Sequence, residues 1–61
     1  MSKRHFETVA SMIRDQLWRA GDNAAFSRGI IVTALGLADV FASENPRFDR
    51  GLFVMACGIR E

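Results

Sequence analysis

Arg47 and Arg50 stand three residues apart across what reads as the start of a helix, and they are the chain's best candidates for chemistry. Free backbone N–H groups and the positive end of the helix dipole favour an anion there. Two guanidinium groups at that place can grip a phosphate in a bidentate way. Arg28, on the polar arc of the preceding helix, is a third candidate ligand for the same anion. A second reading stands beside this one. Asp49, placed as an N-cap, would take up the free N–H groups, and Arg47 or Arg50 would pair with Asp39, Glu44 or Asp49. In an oligomer the first reading sharpens, because symmetry copies a weak arginine site around an axis.

The other reactive side chains point to structure. His5 has no second histidine or cysteine at ligand spacing, and Cys57 is the one cysteine, so neither a metal site nor a disulfide is expected. Cys57 lies in an apolar segment and reads as a buried, inert thiol, since a reactive one needs an electropositive, partly exposed setting. There is no nucleophile elbow, no glycine-rich phosphate loop after a strand and no carboxylate pair at catalytic spacing. The expectation is a non-catalytic protein without a cofactor.

Three helices must position these residues. From Lys3 to Ala20, Phe6, Val9, Ala10, Ile13, Leu17 and Ala20 step by three and four, one face of an amphipathic helix, with Ser2 as its N-cap and Gly21 as its stop. Met12 and Trp18 fall off that face by about 120° each. Trp18 is placed to anchor an interface, with Arg14 and Arg19 near enough to stack on it. Asp22 or Asn23 caps a central helix near 24–44, which Pro46 ends. A short third helix near 49–57 starts at Asp49, with Phe48 and Phe53 spaced as a hydrophobic staple, and Gly58 closes it.

The central helix organises the rest. At about 100° per residue, Phe26, Ile30, Thr33, Leu37, Val40 and Phe41 form one apolar face, and Ile31, Leu35, Ala38 and Ala42 a second roughly 150° away. The remaining arc carries Arg28, Asp39 and Ser43 with Gly29, Val32 and Gly36. Each mid-helix glycine costs roughly 1 kcal/mol relative to alanine, so Gly29 and Gly36 either are tolerated or admit a close neighbour, a helix or a ligand. A chain of 61 residues makes one domain and buries only about 60% of its unfolded surface. Two greasy faces on so small a protein predict an all-α homo-oligomer, with Trp18, Ile31, Leu35, Gly29 and Gly36 at the interface. Its apolar fraction of 49% fits such an assembly.

A net charge of +1 is too small to imply nucleic acid or an anionic membrane. The central helix has an uncharged run of ten residues, Gly29 to Ala38, half of what a bilayer crossing needs. No signal-peptide core follows Lys3 and Arg4. A cytoplasmic protein is expected, which also suits a free thiol.

The run Asn45-Pro46-Arg47-Phe48-Asp49-Arg50, followed by Phe53, Ala56, Cys57 and Gly58, resembles the tail of a family of very small proteins encoded by bacteriophages and related mobile elements. The likeness extends to Leu37, Ala38, Asp39 and Phe41 and to His5, Phe6, Glu7, Val9 and Ala10, leaving roughly Arg14 to Val32 unmatched. The resemblance implies a phage-type accessory protein. Such proteins often bind and disable host machinery or defence signals, so the partner expected is a host protein or a small anionic nucleotide.

A helix, a turn and a second helix also outline a helix-turn-helix, which makes a small nucleic-acid-binding regulator the alternative, carried by Lys3, Arg4, Arg47, Arg50 and Arg60. Its would-be recognition helix reads Gly51-Leu52-Phe53-Val54-Met55-Ala56, without the polar side chains that read base edges.

Overall fold

Local capping signals decide where each helix begins and ends. The computed structural model describes residues 3–59 and contains α1 (Lys3–Ala20), α2 (Ala24–Glu44) and α3 (Arg50–Ala56), with no strand among them. Ser2 and Arg60 lie outside the described residues. Gly21 takes the left-handed conformation, φ +55°, that stops α1. Asn23 caps α2, its side-chain oxygen accepting from the Phe26 N–H at 3.0 Å. Asn45 leaves the helical region ahead of Pro46, as the ring of a following proline requires.

Asp49 is the N-cap of the third helix, as expected, and Cys57 its C-cap, so the helix proper is one residue shorter at each end than the span of 49–57. Asp49 Oδ1 accepts from the Leu52 N–H at 3.0 Å. At the other end, Gly58 N–H donates to the Met55 carbonyl and Ile59 N–H to the Val54 carbonyl, the paired bonds of a Schellman stop. Gly58 sits at φ +80°, where a side chain would be strained.

Each helix packs on the other two. The buried core is Ala10 and Ile13 of α1, Ala34 and Ala38 of α2, and Phe53, Val54, Cys57 and Ile59. Half of it comes from the last stretch of chain. Three of the eight are alanines; larger side chains packed around them complete the interior, among them Phe6, Leu17, Ile30, Ile31, Leu35 and Phe41.

The two separate apolar faces expected on α2 are in fact one broad stripe. Counted from Phe26 at about 100° per residue, its centre lies near 100°, on Ala34 and Ala38, and both expected faces are its flanks. Ile31 and Leu35, expected at a subunit interface, therefore pack against the chain's own core. Phe26 and Val40 fall beyond the stripe and are each 54% exposed. Gly29 and Gly36 point to open space: a Cβ built on either meets nothing within 4 Å, so no helix of the same chain lies over them.

α2 is long and apolar enough to cross a membrane by length and composition alone, which the ten-residue uncharged run understated. Its inner stripe, however, is covered by α1 and α3.

Candidate functional site

One end of the molecule is held by four interlocked phenylalanines, one from each helix and one from the turn. Phe6 lies 4.9 Å from Phe41 and 4.7 Å from Phe48 between ring centroids, and Phe53 closes the cluster at 5.6 Å from Phe41 and 5.5 Å from Phe48. Tilted and edge-on pairs at such distances add about 0.5–1.5 kcal/mol each beyond area burial. Phe48 and Phe53 form the expected staple across the start of α3.

The turn that presents Phe48 is fixed by its own residues. Asn45 Oδ1 accepts from the Arg47 N–H at 3.1 Å and the Asn45 carbonyl from the Phe48 N–H at 3.0 Å. With proline second in the turn, this closes an Asx-type β-turn that sends Arg47 to the surface.

Against this cluster lies a groove of about 620 Å³, walled by α1, the turn and α3. Phe6, Ala10, Phe48, Phe53 and Ala56 form its apolar floor, together with Leu52, which is 63% exposed. Lys3 and Arg47 line it as cations and Glu7 and Asp49 as anions. Neither cation has an ion-pair partner among the described residues, whereas the Asp49 carboxylate is engaged in capping.

The arginine trio expected to hold an anion is not brought together. Arg50 Nε pairs with Asp39 Oδ1 at 2.8 Å and ties the start of α3 to α2. Arg28 lies 17 residues before Asn45 on α2, about 25 Å along the axis at 1.5 Å per residue, at the other end of the protein. Arg47 alone of the three faces the groove, and its cationic neighbour is Lys3. That pairing joins residues more than forty positions apart, so no local spacing signals it.

The remaining expected sites stand as follows. Trp18 is 85% exposed, and no ring or cation–π pair involves it among the described residues; Arg19 instead pairs with Asp15 at 2.9 Å. The stem of Arg14 lies over Gly58. Cys57 is fully buried, and burial pushes its thiol above the ordinary range. No cluster of three or more potential metal-binding side chains occurs among the described residues. On α3, Leu52 and Met55 are the large exposed side chains, an apolar surface unsuited to base edges.

A second groove, of about 470 Å³, runs between α1 and α2 and is lined by apolar and uncharged side chains, with Met12 and Phe26 at its rims. The chain matches no protein-family model, no curated protein and no solved structure among those compared with it.

Proposed function

We propose that this chain is a non-catalytic accessory protein, of the kind small phages and mobile elements carry, which works as a homo-oligomer in the cytoplasm and captures a segment of a host protein. The observation that carries this reading is the groove beside the phenylalanine cluster. An apolar floor with an exposed Leu52, rimmed by charges of both signs, has the anatomy of a protein-recognition surface: a hydrophobic centre inside a polar rim. The paired acidic residues disfavour a purely anionic occupant.

A second reading has one observation in its favour. Among the described residues Lys3 and Arg47 have no ion-pair partner, and Phe6 and Phe48 line the same groove, which is what a small anionic nucleotide would use for its phosphate and its base.

Capture experiments from bacterial lysate with wild type, Leu52→Asp and Arg47→Glu test the choice. A protein retained by wild type and lost by both variants, each still helical by circular dichroism, is the expected result. Nucleotides that raise the melting temperature of wild type but not of Arg47→Glu would replace it by the second reading. Identical capture by all three would overturn the first reading, and nucleotides that leave the melting temperature of wild type unchanged would overturn the second.

A further inference from the structure

We propose that two copies of this chain pair antiparallel through the outward face of α2, with Arg28 of each protomer set against Asp39 of the other. This rests on the self-assembly proposed above and goes further by naming its surface and direction.

The face lies opposite the helix's own core. Ala34 and Ala38, the buried centre of the inner stripe, lie near 100° when Phe26 is set at zero, so α2 points straight outward near 280°. Val32 and Val40 stand about 40° to either side of that direction and are 62% and 54% exposed. Gly29 and Gly36 lie between them, and a Cβ built on either meets nothing within 4 Å. The side chains on this face are thus short, and an ordinary helix spacing of about 8–10 Å is open to a second helix.

Charge chooses the occupant and its direction. Arg28 and Asp39 are eleven residues apart, so they fall within about 20° of each other on one edge of the face, about 17 Å apart along the axis. A twofold axis across the face, midway between them, reverses the helix direction and keeps the edge. Each arginine then comes level with the other copy's aspartate, and symmetry makes the pair twice. A parallel dimer would instead bring the charged edge against the other edge, Phe26 and Thr33, where there is no charge to meet it. The match follows from symmetry for a second copy, and only by coincidence for an unrelated partner.

Both groups are open to such a contact. Arg28 has no ion-pair partner among the described residues. Asp39 binds Arg50 Nε at 2.8 Å, yet its side chain stays 68% exposed, and a carboxylate has acceptor positions for a second guanidinium. Between Arg28 and Asp39 the helix has no other ionisable residue to oppose the pairing. A lipid bilayer is the poorer occupant, because burying this face would carry the same two charges toward hydrocarbon.

Sedimentation velocity of the full chain between 1 and 100 µM at low salt tests this. Wild type should sediment as a dimer. Arg28→Glu and Asp39→Lys should each weaken the dimer about tenfold, since each turns two attractive pairs into repulsive ones, and the loss should shrink in half-molar salt. Mixed in equal amounts, the two variants should recover the wild-type affinity, because each supplies the charge that the other now needs. Loss of the Arg50 pair in Asp39→Lys would not be repaired by mixing, so recovery reads the contact between copies. Val32→Glu lies near the midpoint, where its two copies would be about 5 Å apart along the axis. It should weaken the dimer at least as much, and serves beside Arg28→Glu if Asp39→Lys unfolds. If wild type associates and these variants associate equally well, or the mixture of folded variants recovers nothing, this pairing is wrong while self-assembly stands. A wild-type monomer throughout would overturn both, and flotation of wild type with phosphatidylcholine vesicles in place of dimer formation would assign the face to lipid.

Discussion

Replacing Asp49 separates its role as a helix start from its role as a charge. Its carboxylate accepts the Leu52 N–H at 3.0 Å and begins a helix of seven residues, far too short to persist by itself. That helix and the Schellman turn after it deliver Phe53, Val54, Cys57 and Ile59, half of the buried core. Asp49→Ala should therefore cost about 1 kcal/mol, within the 0.5–2 kcal/mol range of N-cap losses. In a chain whose whole stability is expected at about 3–9 kcal/mol, that lowers the melting temperature by about 4–8 °C. Asp49→Asn keeps the acceptor and gives up only the attraction between carboxylate and helix dipole, about 0.3–1 kcal/mol, a portion that salt screens. Thermal melts by circular dichroism at low salt and at half-molar salt should rank wild type, asparagine and alanine in that order. The gap between wild type and asparagine should close at high salt. If asparagine melts as low as alanine at high salt, or alanine melts with wild type, the bond to Leu52 does not start α3 and the account of this end is wrong.

Gly36→Ala should raise stability by up to about 1 kcal/mol, read as a higher melting temperature, because a Cβ there meets nothing within 4 Å and the backbone is helical; a lower one would mean that another surface covers that backbone in solution. Cys57 should resist alkylation at pH 8 in the folded protein and react once denatured, as a buried thiol does. Since its folded value is raised, its contribution to stability is fully present below about pH 8.5, the ordinary thiol value, and is lost as the pH rises through the raised folded one. Denaturant melts of wild type and Cys57→Ala from pH 7 to 10 check this: the wild type should lose stability across the upper part of that range faster than the variant.

The helix bounds were legible because each is set by residues beside it: Gly21 and Asn23 between the first two helices, Asn45 and Pro46 after the second, Asp49 and Gly58 around the third. The inward side of α2 was not. Apolar residues occupy most of its circumference, so periodicity offers no unique centre, and the true centre is two alanines whose small size matters more than their hydrophobicity. Ala34 belonged to neither expected face, yet it is 1% exposed. The site was half legible for the same reason of range. Asp39 was among the acids expected to pair with an arginine of the turn and does pair with Arg50, whereas the placing of Lys3 and Arg47 along one groove depends on how α1 lies against the turn.

That arrangement separates two kinds of surface along a molecule 35 Å long. The aromatic end is closed by three elements, and the rings that floor its groove also pack the helices and the turn together. The hairpin end is closed by two elements and leaves Phe26 and Met12 uncovered. A ligand bound in the first groove would touch Phe6, Phe48 and Phe53 and would raise the melting temperature by mass action. Leu52→Asp, at that groove, is therefore expected to remove such stabilisation, whereas Phe26→Glu, at the hairpin end, is expected to spare it.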